Sequence, residues 1–173
     1  QDKRFTVMKT KFTWFLLTWT LGGLWVLVTM AAGLAALTSN ITIELGILGY
    51  IGITLWLLGF TVEVIADNQK SQFKKDPNNQ DRFITSGLWS WSQHPNYFGE
   101  ITLWFGLSLL ALPVLSGWQL VTLISPIFVY FLLTKVSGIP ILDRMAKEKW
   151  GLDSDYINYI KITSKLILAP PKK

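Results

Sequence analysis

From Ile101 to Thr134 the chain carries no charged side chain for 34 residues, and from Thr13 to Leu37 none for 25. A helix rises about 1.5 Å per residue, so about 20 apolar residues cross a hydrocarbon core about 30 Å thick. The shorter run suffices for one crossing with some tilt. The longer run is too long for one. Pro113, Ser116 and Gly117 lie at its middle and divide it into two short spans joined by a tight turn. Ile41 to Val62 supplies a further span, interrupted only by Glu44, with Asn40 and Thr42 marking the turn before it. The expected fold is therefore all-α: a polytopic membrane helical bundle with about four transmembrane helices near 13–37, 41–64, 98–113 and 118–136. Residues 1–173 read as a single membrane domain. Because the sequence starts at Gln1, it also reads as the C-terminal part of a longer chain.

Composition supports the membrane reading over a soluble helical bundle. Half of the residues are hydrophobic and 16% are charged, against about a quarter charged in soluble domains. Many of the nine tryptophans fall near the ends of apolar runs, where a half-apolar ring suits the headgroup level. The net charge of +5 does not signal nucleic acid, because the basic residues avoid the apolar runs and collect between them. Lys3, Arg4, Lys9 and Lys11 precede the first span; Lys70, Lys74, Lys75 and Arg82 separate the second from the third. Lys135, Arg144, Lys147, Lys149, Lys161 and Lys165 follow the fourth, whereas Thr38–Thr42 and Ala111–Gly117 contain no Lys or Arg. The positive-inside rule then places both ends and the central loop in the cytoplasm. The expected location is a bacterial inner membrane, or the endoplasmic reticulum in a eukaryote. Short cytoplasmic helices are expected over Ile141–Trp150, capped by Gly151, and over Asp155–Ile162, with Pro170 and Pro171 ending the ordered chain.

Two polar groupings stand out at the cytoplasmic ends of the spans. Glu63, Asp67, Lys70 and Lys74 follow at i, i+4, i+7 and i+11, so they project from one helical face. A carboxylate so near the hydrocarbon boundary needs a polar cavity or a partner; the plainer alternative is a solvated helix end with internal pairing. The second grouping is the run from Gly87 to Glu100, Gly-Leu-Trp-Ser-Trp-Ser-Gln-His-Pro-Asn-Tyr-Phe-Gly-Glu, which holds the only histidine. The His94 imidazole titrates near neutrality, and the Asn96 amide offers donors and an acceptor. A lone histidine is more often structural than catalytic. Asn96, Tyr97 and Glu100 on one turn of an inserted helix are less easily dismissed.

The run Ser92-Gln-His-Pro-Asn-Tyr-Phe-Gly-Glu100 resembles the signature of the steroid 5α-reductase-like membrane proteins, most closely the bacterial-type branch known as DUF1295. That scaffold is shared with sterol C14 reductases and, more distantly, with isoprenylcysteine and phospholipid methyltransferases. Supporting matches are Glu63 and Asp67, Phe83-Ile-Thr-Ser-Gly-Leu-Trp89, Ser137-Gly-Ile-Pro-Ile-Leu142, Lys149-Trp-Gly151, Tyr156 and Tyr159. The resemblance implies an NADPH-dependent reductase acting on an activated carbon–carbon double bond of a sterol-like or other lipid. It implies that Asn96 and Glu100 meet the nicotinamide end, while Glu63, Asp67, Lys74 and Arg82 lie near the adenine, ribose and phosphates, with Tyr159 beside the cofactor. His94, Tyr97, Glu100 and Tyr156 are the catalytic candidates, and spacing does not choose the proton donor among Tyr97, Tyr156 and Tyr159.

The sequence also departs from that pattern. Gln93 stands where Arg commonly precedes the His-Pro pair, and Glu63 replaces an Asn of the steroid reductases proper. The Glu-Tyr pair that polarises the enone in those enzymes comes from an N-terminal half that this sequence lacks. Two other functions stay open: an S-adenosylmethionine-dependent lipid or isoprenylcysteine-type methyltransferase, and a non-catalytic membrane scaffold. Against methyl transfer, Ile141–Glu148 contains no adjacent glutamates. With one histidine and no cysteine, a metal centre is not expected. Gly46, Gly49, Gly52 and Gly59 fit close helix packing, not a dinucleotide fingerprint.

Overall fold

The computed structural model describes residues 10–172 of the 173-residue chain, so Lys3, Arg4 and Lys9 lie outside the described residues. Helix α1 (Phe12–Leu37) and helix α2 (Ile47–Lys75) are the two longest elements. Helix α3 (Pro95–Ala111) opens on proline, whose missing N–H is no loss in a first turn, and runs into a 3₁₀ turn over Leu112–Val114. After the turn at Leu115 and Ser116 the chain returns as a 3₁₀ segment (Gly117–Ile124), helix α4 (Ser125–Phe131) and a π turn over Leu132–Val136. Gly117 takes φ +52° there, in the left-handed region that glycine enters without penalty. Helices α5 (Ile139–Trp150) and α6 (Ser154–Ile162) follow. The protein is thus all-α, with four helical stretches long and apolar enough to cross a membrane and short helices at the C-terminal end.

Three boundaries differ from the sequence-based expectation. α2 starts at Ile47 rather than Ile41: Ile41–Leu45 forms no regular structure, and Glu44 therefore lies in the connection instead of the helix. A long-range contact holds that connection: Ser39 Oγ donates to the Val114 carbonyl at 2.6 Å and accepts from Ile41 N at 3.1 Å. At the other end α2 continues past Val64 to Lys75, carrying Asp67, Lys70 and Lys74 beyond its apolar part. Finally, Pro170 and Pro171 do not end the ordered chain, since Lys172 N donates to the Ile162 carbonyl at 2.9 Å.

Packing around α1 is sparse, and most of its large apolar side chains face outward, with Trp19 67% and Leu27 58% exposed. Such a surface needs an apolar partner, and four stretches of spanning length and apolarity match a bilayer. The protein is an integral membrane protein. Inside the bundle, Ala32, Ala111 and Leu115 form one small core, and buried Ser125 ties α4 to α1 by donating to the Thr29 carbonyl.

The tightest contact joins α2 to α3, which run antiparallel. A Cβ built on Gly59 would lie 2.6 Å from Gly99 O, and one on Gly106 2.7 Å from Gly52 O. Glycines at 52 and 59 meet glycines at 106 and 99, so small residues seven apart let the two backbones touch, as membrane helices without a hydrophobic driving force require. Gly49 is buried on the same face, with the Leu110 side chain of α3 3.8 Å from a built Cβ but no backbone contact, and nothing approaches Gly46. The Ser39–Val114 contact closes one end of the bundle. At the other end gather the last turns of α2, the 76–94 loop, the start of α3, α5, α6 and the C-terminal strap.

Candidate functional site

The glycine seam decides where the polar residues fall. With Gly99 against Gly59, a Cβ on Gly99 would come within 2.7 Å of Glu63 N, so the carboxylate-bearing turns of α2 and α3 lie side by side. Asn96 Nδ2 donates to Asp67 Oδ1 at 3.1 Å across that seam. The Glu63, Asp67 and Glu100 carboxylates are close enough to repel one another electrostatically. The loop before α3 is locked to α2 as well. Gly87, at φ +62°, turns the chain so that Leu88 N donates to Gln69 Oε1 at 3.0 Å, and buried Trp89 donates from Nε1 to the Ala66 carbonyl at 3.0 Å.

Beside this acidic group lies a cavity of about 310 Å³ between α2, the loop, α5 and α6. Its cations are Lys70, Lys74, Arg82 and Lys149, and the acid among its described lining residues is Asp143. Its walls are aromatic. Phe83 makes edge contacts with Trp150 and Tyr156 at 5.6 and 5.2 Å between ring centroids, and Lys70 Nζ sits 4.6 Å above the Trp89 ring. The Tyr159 hydroxyl donates to the Trp89 carbonyl at 2.7 Å, which fixes α6 against the loop and commits that proton. Burial raises the Tyr159 and Tyr156 phenols above their ordinary range, and both stay protonated at neutral pH.

His94 forms the junction between the two groups. Its ring stacks on Tyr97 at 5.6 Å with planes 9° apart. Its Nε2 is buried 3.5 Å from Asp143 Oδ1, too long for a good hydrogen bond, and lacks a hydrogen-bond partner. Burial lowers its pKa to about 4 despite the nearby Asp143 carboxylate, so the imidazole is neutral at physiological pH. Unfolded histidine titrates near 6.5, so between about 6.5 and 4 the unfolded chain holds a proton that the folded chain does not. His94 should therefore leave stability level above pH 7 and erode it by on the order of 2–3 kcal/mol as pH falls through that window. Subtracting the unfolding profile of His94→Gln in detergent isolates this contribution; a difference that is flat from pH 7 to 4 would refute the assignment.

The structure thus divides the sequence-derived candidates into two neighbouring sets. Lys74, Arg82, His94, Tyr156 and Tyr159 line the cavity. Glu63, Asp67, Asn96, Tyr97 and Glu100 do not line it: Asp67 and Asn96 pair across the α2–α3 seam with Glu63 and Glu100 near them, while Tyr97 stacks on His94 and packs toward Gly138. Gln93, where an arginine was expected, is engaged structurally, donating from Nε2 to the Thr163 carbonyl at 2.8 Å. Asp143 was missed. It approaches His94 on one side and pairs with Lys165 of the C-terminal strap on the other. A signal was present: Ile139, Leu142, Asp143 and Ala146 fall at i, i+3, i+4 and i+7, so Asp143 is an acid on the inward stripe of α5.

A family model described as "Protein of unknown function (DUF1295)" matches residues 1–163. The chain belongs to the DUF1295 family. It is also similar to the uncharacterized protein C9.08c of Schizosaccharomyces pombe, 38% identical over 79 residues, which cover 37% of this chain and 28% of that protein. The match spans little more than a quarter of that relative's length. No solved structure matches.

Proposed function

We propose that this DUF1295 protein is a membrane-embedded reductase that binds NADPH at the polar end of the bundle and reduces a carbon–carbon double bond in a lipophilic substrate. The observation that carries this reading is the cavity charge: Lys70, Lys74 and Arg82 against Asp143, with Lys149 paired to Asp81 at 3.0 Å, between aromatic walls. That donor set fits a polyphosphate joined to a flat heterocycle. Lysine and arginine neutralise phosphate oxygens, and Phe83, Trp89 and Trp150 supply faces and edges for a base. A volume of about 310 Å³ is at the small end for ligand pockets of about 300–1,000 Å³, which suits the adenosine-phosphate part and leaves the nicotinamide to the seam.

The bound cofactor would supply the hydride. The chain's own residues orient and protonate. Asn96, held by Asp67, presents its amide where a carboxamide can pair, with Glu63 and Glu100 as acceptors. Tyr97 and Tyr156 are the candidates for delivering the proton to the second carbon, since the Tyr159 proton is committed to Trp89. The polar end is assigned to the cytoplasmic side, because the Lys- and Arg-bearing connections gather there while the Thr38–Thr42 and Ala111–Gly117 connections contain neither. S-adenosylmethionine suits the cavity less well, because its sulfonium would face Lys70, Lys74 and Arg82, with Lys149 paired to Asp81.

Thermal unfolding in detergent tests the choice. NADPH at a hundred times its dissociation constant should stabilise the protein by about 2.7 kcal/mol, and S-adenosylmethionine should not. Stabilisation by S-adenosylmethionine alone would replace reduction with methyl transfer, and a response to neither would leave the scaffold reading.

A further inference from the structure

A second concavity adjoins the proposed cofactor site, with Gln93, Asp143, Tyr156 and Ile160 on the border between them. It is a groove of about 880 Å³ between α6, the end of α5 and the strap formed by residues 163–172. Lys147, Lys161, Lys165 and Lys172 line it, together with exposed Ile157 and Ile167. Its described lining acid is Asp143, which Lys165 already neutralises. Among the described residues, Lys147, Lys161 and Lys172 form no ion pair. Three unspent cations beside bare isoleucines make a surface suited to an amphiphile with an anionic head.

The position of the groove in the fold says which amphiphile. The strap is sewn to the residues immediately before α3: Gln93 N donates to Ser164 O at 2.8 Å, Ser92 Oγ to Leu166 O at 2.8 Å and Ala169 N to Trp91 O at 3.3 Å. α3 is a membrane-span candidate starting at Pro95, so the groove stands within a turn of where the chain enters the bilayer. Trp91, whose carbonyl accepts from Ala169 of the strap, is exposed and fits the headgroup level. We infer that the groove between α6 and the strap seats the phosphate headgroup of an anionic phospholipid, with its lysines on the phosphate and Ile157 and Ile167 against the first acyl carbons. Basic residues at this depth favour anionic over zwitterionic lipid. The lysines that carry the inference are not those of the neighbouring cavity: Lys70, Lys74 and Arg82 line that cavity, and Lys147, Lys161 and Lys172 line the groove.

The test is thermal unfolding of the whole chain in mixed micelles containing phosphatidylglycerol or phosphatidylcholine, with inorganic phosphate as a third arm. Phosphatidylglycerol should raise the unfolding midpoint by several degrees over phosphatidylcholine, and inorganic phosphate should not. K147E/K161E/K172E, which spares the Lys165–Asp143 pair, should lose the phosphatidylglycerol increment and weaken retention of that lipid in native mass spectrometry by about tenfold or more. The neutral K147Q/K161Q/K172Q should lose most of the increment, and K147R/K161R/K172R should keep it, so a folding defect in the acidic variant does not decide the matter. A phosphatidylglycerol preference that survives both charge-removing variants would overturn the inference. So would equal responses to the two lipids, or stabilisation by inorganic phosphate matching that by phosphatidylglycerol.

Discussion

The double variant Lys74→Ala/Arg82→Ala is expected to weaken NADPH binding by about a hundredfold while remaining folded. Both side chains line the basic cavity and both are exposed, so neither supports the core. Each charge-assisted bond to a phosphate contributes about 1.5–3 kcal/mol. Two such bonds at the lower end come to about 3 kcal/mol, and with a discount for solvent exposure the loss is about a hundredfold, at about 1.4 kcal/mol per tenfold. The comparison that gives the experiment its force is with reduced nicotinamide riboside, which has no phosphate. Its binding should change by no more than about twofold, because the proposed nicotinamide contacts at Asn96 and Glu100 are untouched. Calorimetric or fluorescence titration of both ligands against wild type and variant reads the two losses side by side. Equal losses would mean that Lys74 and Arg82 act through general stability and do not meet the phosphates.

That experiment draws on a division the sequence could not display. The four apolar helices were legible because exclusion of charge from a long run is a one-dimensional property, and the Pro113–Gly117 turn because proline and glycine punctuate locally. The start of α2 was not, since Ile41–Leu45 is largely apolar yet lies outside the helix, beside a Ser39 bond to Val114, 75 positions away. The same limit applies at the site. Helical spacing put Glu63 and Asp67 on one face, but only the α2–α3 seam pairs Asp67 with Asn96. Motif resemblance pointed to Lys74, Arg82, His94, Tyr156 and Tyr159, which the structure brings around one cavity, while Glu63, Asp67, Asn96, Tyr97 and Glu100 stand beside it. Asp143 escaped notice because its meaning comes from two distant partners, His94 and Lys165. The strap was invisible for a simpler reason: most of the bonds holding it end on backbone atoms, which every sequence possesses.

Everything at the polar end rests on that seam, so Gly99→Ala is expected to be among the most destructive single substitutions in the protein. The added methyl would meet Gly59 O at 2.6 Å and Glu63 N at 2.7 Å, and both are backbone atoms that no rotamer change can move aside. The helices must separate, which costs the packing that holds them and misplaces Glu63, Asp67 and Asn96 relative to one another. Overpacking a tight core costs about 1–3 kcal/mol even where side chains can yield, so a backbone clash belongs at or above the top of that range. The expected result is a large loss of monodisperse protein in detergent, and no NADPH response in what remains. Gly23→Ala is the control, because nothing lies within 4 Å of its added carbon. There the better helix propensity of alanine should leave stability unchanged or improve it by up to about 1 kcal/mol. Gly99→Ala protein that purified and melted like the Gly23→Ala variant would show that the two backbones do not touch, and would remove the physical basis for bringing the carboxylates of α2 to Asn96.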